Sequence, residues 1–160
     1  MTERVKLSER WRPRAIHEIV GQPEAVAILS AWMDNPIPKA WCLLGEAGCG
    51  KTTAALCIAE SLYDGRYPTP EFVNGSQLKI DDLPALHKAQ LVCSPFTCGF
   101  RQNHYHVAVV DEFERLSPQS QQWIKCEWEL LPPAAVIIAT SNSLDAISDA
   151  CIQRFDVIEF

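Results

Sequence analysis

WCLLGEAGCGKTT, residues 41–53, decides the fold. An apolar run of strand length ends at Gly45, and Gly50, Lys51 and Thr52 complete the pattern GxxxxGKT, the spacing of a phosphate-binding loop. Glycines let the backbone fold tightly enough for several N–H groups to face one anion, and a helix starting there adds the positive end of its dipole. In such a loop the lysine reaches the β- and γ-phosphates and the threonine hydroxyl binds Mg²⁺. A glycine turn between two packed elements could carry the same letters, so the flanks matter. Residues 41–44 suit a buried strand and residues 53–62 (TAALCIAESL) carry apolar side chains at helical spacing.

Bulk composition narrows the class. With 160 residues, 48% hydrophobic and 21% charged, the chain is long and apolar enough to bury the core of one domain. No apolar run reaches the length of a membrane span, and the opening MTERVKLSERWR is polar, which predicts neither membrane insertion nor secretion. Seven cysteines with no CxxC spacing predict reduced thiols in a cytoplasmic protein. His87, Cys93, Cys98, His104 and His106 lie in one stretch, yet their spacings fit no familiar zinc template, and thiols and histidines in a loop are the simpler expectation. A net charge of −6 makes a poor autonomous nucleic-acid binder. Arg4, Lys6, Arg10, Arg12 and Arg14 crowd the N-terminus, and Lys79, Lys88 and Arg101 lie mid-chain, so any DNA contact is expected to be patchy and shared with partners.

Outward from the loop, residues 8–21 suit an extended arm, and residues 23–33 turn helical until Asp34, Asn35, Pro36 and Pro38 stop them. Residues 71–74 (EFVN) are a short strand candidate, residues 82–91 a helix and residues 92–105 a loop. HVAVV, residues 106–110, is a β-branched strand ending in Asp111 and Glu112. That puts two carboxylates at the carboxyl edge of a sheet, where α/β proteins bind ligands; solvated acids capping a strand would look the same in isolation. Ser117 and Pro118 open a helix to about residue 131. Residues 135–140 (AVIIAT) are apolar without alternation, as in a buried parallel strand. A short helix at 144–151 and a last strand at 155–160 follow. Alternating strands and helices predict an α/β fold, a mostly parallel five-stranded sheet with helices on both faces.

Taken together these residues resemble the AAA+ type of P-loop NTPase, and within it the clamp-loader subunits, especially the small subunits of replication factor C and their archaeal and phage counterparts. The likeness rests on WRP (11–13) with IVGQ (19–22), GEAGCGKTT (45–53), FVNGS (72–76), VVDE (109–112), EWEL (127–130), TSN (140–142) and QRF (153–155). It implies that Arg12, Pro13, Val20 and Gly21, in an arm over residues 1–21, border the adenine of ATP. Gly45, Gly48, Cys49, Gly50, Lys51, Thr52 and Thr53 would bind phosphates, with Thr52 and Asp111 on Mg²⁺. Glu112 would polarise the attacking water, Asn142 would sense the γ-phosphate, and Asn74 resembles a switch residue restraining the catalytic acid. Arg154 falls where the family carries an arginine finger directed at a neighbouring subunit, although the motif here is QRF rather than SRC; a surface ion pair is the plainer role for it.

The loop departs from the family in reading EAGC where PPGT is usual, a change that a cradle made of backbone should tolerate. The family also continues into a helical lid and a collar domain, whereas residues 1–160 resemble the core alone. A lidless site implies weak binding and turnover unless a partner completes it. The function implied is an ATPase subunit of an oligomeric clamp loader in DNA replication, with a sliding clamp and primer–template DNA as partners, in the cytoplasm, nucleoid or nucleus. A Holliday-junction or recombination ATPase, and a non-catalytic nucleotide-binding scaffold, stand as alternatives.

Overall fold

The strands β1 (Lys39–Leu44), β2 (Glu71–Asn74), β3 (His106–Asp111), β4 (Ala135–Ser141) and β5 (Asp156–Glu159) form one sheet in the order β2-β3-β4-β1-β5. Every neighbouring pair is parallel, so the expected mostly parallel sheet is wholly so. These relations come from a computed structural model that describes residues 11–63, 71–83, 105–128 and 135–160. The order places β4 between β1 and β3, with Leu44 opposite Ser141 and Val110 opposite Ala139. The carboxyl ends of the three central strands therefore lie side by side.

Alternation along the strands sorts the core into two layers. Trp41, Leu43, Val107, Val109, Val136 and Ile138 face one side, where they meet Leu29 and Trp32 of α1 (Pro23–Asp34) and Ala54, Ala55 and Ile58 of α2 (Lys51–Leu62). Cys42, Val110 and Ala139 face the other, against Phe113, Leu116, Ile124 of α3 (Pro118–Trp128) and Cys151 of α4 (Asp149–Ile152). Because both faces are covered at the centre of the sheet, β3 and β4 carry continuous apolar runs, while the edge strands β2 and β5 begin and end on polar residues. Edge-on ring pairs anchor each layer: Trp32 with Trp41 at 5.6 Å, and Phe113 with Phe155 at 5.3 Å.

Local chemistry explains the boundaries. Pro23 opens α1 at a position that needs no donor. The Ser117 hydroxyl accepts the Ser120 N–H at 3.1 Å and caps α3 as expected. The arm holds a 3-10 turn at Ile16–Glu18, seating Ile16 in the core. Two expectations are corrected. The helix at 144–151 is confined to Asp149–Ile152, because residues 144–148 form turns whose backbone bonds the buried side chain of Gln121. The last strand starts at Asp156, since Phe155 turns into the core instead. Of the expected 82–91 helix, only a 3-10 turn at Ile80–Asp82 and Leu83 are described. The rest of it, the 92–104 loop, and His87, Cys93, Cys98 and His104 of the thiol–histidine stretch lie outside the described residues. Among the described residues no helix is long and apolar enough to cross a membrane, and Cys42, Cys49, Cys57, Cys126 and Cys151 are free thiols.

Candidate functional site

The glycine loop leaves β1 at a point of close approach. Gly45 N–H still bonds Ser141 O at 3.1 Å, while on the other side Phe160 N–H bonds Leu44 O at 2.7 Å. A Cβ on Gly45 would stand 2.5 Å from Phe160 O, so no larger residue fits between the neighbours. At the far end of the loop Gly50 takes φ +110, a left-handed turn that aims the first turn of α2 at the strand ends.

Lys51 opens that helix and is 7% exposed. Its Nζ donates to Gly45 O at 2.8 Å, Glu46 O at 2.7 Å and Asn142 Oδ1 at 3.1 Å, and lies 3.6 Å from Cys49 Sγ. None of these acceptors carries a full negative charge. A buried cation held, among the described residues, by neutral dipoles alone is poised for an anion, which is what a phosphate chain supplies.

The acids stand opposite. Asp111 Oδ1 accepts the Thr52 hydroxyl at 2.8 Å and the Thr140 hydroxyl at 2.5 Å, and the Thr140 oxygen in turn accepts Glu112 N–H at 3.1 Å. A hydroxyl and a carboxylate joined in this way are hard oxygen donors, the set a Mg²⁺ ion prefers, so these residues fit the implied metal. Glu112 sits at φ +54, the left-handed region that costs a non-glycine residue about 1 kcal/mol or more. Gly75 N–H, bonded to Asp111 O at 2.7 Å, and Thr140 hold the chain on either side of it. The Glu112 carboxylate pairs with Arg115 Nε at 3.2 Å. Asn74, at the end of β2, turns its amide oxygen to the backbone and hydroxyl of Ser76.

Glu114 is a site residue that the sequence reading missed. Its Oε1 accepts both the backbone N–H of Asn142, at 3.2 Å, and the side-chain Nδ2, at 2.8 Å, while Oε2 is buried with no hydrogen-bond partner among the described residues. The only sequence signal is a third acid following the pair, in DEFE. Together Ala47, Gly48, Lys51, Thr52, Asp111, Glu112, Glu114, Thr140, Ser141 and Asn142 line a cavity of about 150 Å³. In the core layer on β1, burial and then the negative charge of Glu114 push the Cys42 thiol up to about 11.

The described part of the arm, residues 11–21, runs along the loop and α2. Pro13 O accepts the Cys57 thiol at 3.3 Å, and Gln22 Nε2 donates to Cys49 O at 3.5 Å. Ile19 touches the Gly50 position, Gly21 turns at φ +91, and Val20 is 93% exposed beside it. Arg12 is exposed and Thr53 half-buried. Arg154 stands apart from the cavity: its Nη1 donates to Ala150 O at 2.7 Å, closing the end of α4.

A parallel sheet whose central strands bring a glycine loop, a buried lysine and a hydroxyl–carboxylate pair to one cavity defines a P-loop nucleotide-binding protein. Residues 41–160 match the family model described as ATPase family associated with various cellular activities, AAA, and the chain belongs to that family. It is 28% identical over 159 residues to the replication factor C small subunit of Methanosphaera stadtmanae, covering 95% of this chain and 46% of that protein. The Sulfolobus acidocaldarius protein of the same name is 26% identical over 162 residues, covering 100% of this chain and 49% of the relative. The chain thus spans about half the length of these relatives. Among solved structures, RuvB of Thermotoga maritima superposes with a TM-score of 0.71 over 93% of this chain and 48% of its own, at 22% identity, a likeness of fold.

Proposed function

We propose that this chain is the Mg²⁺-dependent ATPase core of a clamp-loader subunit in DNA replication, working in an oligomer in the cytoplasm or nucleoid. The observation that carries the reading is the meeting of Lys51, Thr52, Asp111 and Asn142 in one cavity, in a chain whose relatives are named replication factor C small subunits. The likeness to RuvB supports the shared fold and adds nothing for a branch-migration role.

In this reading Lys51 and the N–H groups of residues 45–53 neutralise the triphosphate, and Thr52 and Asp111 hold Mg²⁺, which when bound draws charge from the phosphate oxygens. Glu112, once released from Arg115, accepts a proton from the attacking water. Arg12, Pro13, Val20 and Gly21 of the 1–21 arm flank the base. Arg154, released from Ala150 O, reaches the nucleotide of a neighbouring subunit. The sliding clamp and primer–template DNA are the proposed partners.

The test is nucleotide titration and turnover with the intact protein. Lys51→Ala loses nucleotide binding. Glu112→Gln keeps binding but lowers turnover about 10²-fold or more, the scale of a lost general base. Primer–template DNA with its clamp stimulates turnover, and four-way junctions do not. Hydrolysis at the wild-type rate in both variants would refute the assignment.

A further inference from the structure

Among the described residues Glu112 is the only non-glycine residue at positive φ, and the turn that follows β2 is built against its backbone. Gly75 is buried there, and its N–H bonds Asp111 O at 2.7 Å. A Cβ on Gly75 would collide with Glu112 O and stand 3.1 Å from Glu112 C and 3.2 Å from Asp111 O. These are backbone atoms, which cannot swing aside as the end of a side chain can. Glu112 O is committed elsewhere as well, since it accepts Arg115 N–H at 2.9 Å.

The turn that carries Gly75 is itself fixed. Asn74 O accepts the N–H groups of Gln77 and Leu78 at 3.0 Å and 3.2 Å, and Asn74 Oδ1 accepts Ser76 N–H at 2.9 Å. From the β4 side, Thr140 Oγ1 accepts Glu112 N–H at 3.1 Å. The peptide before the Glu112 Cα is thus bonded from both neighbouring strands, and the peptide after it lies between Gly75 and Arg115. Rotation of those two planar units sets φ and ψ, so holding both fixes the direction in which the carboxylate leaves the chain.

Resting on the nucleotide-site reading above, we propose that Gly75 is a positioning residue for hydrolysis. Its bare Cα lets the end of β2 close on the Glu112 backbone and aim the acid at the attacking water, which any larger residue would prevent. Nucleotide binding does not depend on this contact, because the Asp111 carboxylate is held separately by the Thr52 and Thr140 hydroxyls.

Gly75→Ala tests the role on the intact protein. The Glu112 backbone must give by about half an ångström to admit the methyl, and because a misplacement of about 1 Å costs about 10²-fold in rate, turnover falls about tenfold. Affinity for a non-hydrolysable ATP analogue, measured by calorimetry, stays within about twofold, as for a loss confined to the chemical step. The same substitution in the Glu112→Gln background separates aiming from folding. With the base gone there is nothing to aim, and the residual rate changes by less than about twofold. A merely structural role lowers both backgrounds alike and overturns the proposal. Where Gly75→Ala does not fold, Asn74→Ala in the same two backgrounds loosens the turn without adding bulk: turnover falls with Glu112 present and is unchanged in the Glu112→Gln background. A wild-type rate in Gly75→Ala, or a rise in Asn74→Ala, overturns the role of Gly75 and leaves the nucleotide site standing. A wild type that binds no ATP, or whose turnover ignores Glu112→Gln, overturns the site itself.

Discussion

Replacing Thr140 by Val tests the centre of the site with almost no change of shape. Thr140 is 2% exposed, its hydroxyl donates to Asp111 Oδ1 at 2.5 Å and accepts Glu112 N–H at 3.1 Å, and valine fills the same space with a methyl. The first bond joins a charged acceptor and is worth about 1.5–3 kcal/mol, and the second leaves a backbone N–H unmatched at about 1 kcal/mol. Thr52 still holds the same carboxylate oxygen at 2.8 Å, which limits the loss. The expected destabilisation is about 2–3 kcal/mol, a fall in melting temperature of about 5–10 °C for a chain of this size. Urea unfolding of wild type, Thr140→Val and Thr140→Ser measures it, with serine restoring the hydroxyl and most of the stability. Glu112 is held in its left-handed conformation partly by this bond, so Thr140→Val also lowers ATP turnover more than ATP affinity. A valine variant within about 0.5 kcal/mol of wild type, or a serine variant no better than valine, would show that the hydroxyl does not join the two strands.

Gln121→Leu should be as damaging for a different reason. The buried amide donates to Leu116 O at 3.3 Å and Ala146 O at 2.8 Å and accepts Ser148 N–H at 2.8 Å. Leucine orphans all three, at about 3 kcal/mol in total, and hydrogen exchange at Ser148 accelerates in step with the urea midpoint shift. The thiols set an alkaline limit: burial pushes Cys42 and Cys57 from the usual 9.0 up to about 11 in the folded state. A raised folded value favours the neutral form, so the stability it contributes is complete below pH 9 and is lost as pH rises toward 11. Melting temperatures between pH 8 and 10.5 should fall less steeply in a Cys42→Val, Cys57→Val double variant, and an unchanged slope would rule the thiols out.

The sequence by itself determined the local elements and the chemistry each one carries. Spacing identified Lys51 and Thr52 on a phosphate loop, β-branched runs identified β3 and β4, and Ser117 with Pro118 marked the start of α3, because periodicity, turn chemistry and capping act between residues a few positions apart. Only the tertiary structure decided which strand tips are neighbours. Lys51 and Asn142 are 91 positions apart, Thr140 and Asp111 are 29, and Asn142 and Glu114 are 28. Their meeting depends on β4 lying between β1 and β3, and no local pattern encodes strand order. Glu114 stayed hidden for that reason, as an acid in a short turn with nothing nearby in the chain to explain it. The turns at 144–148 and the inward Phe155 were set the same way, by a buried amide and a core ring that overruled local helix and strand preference.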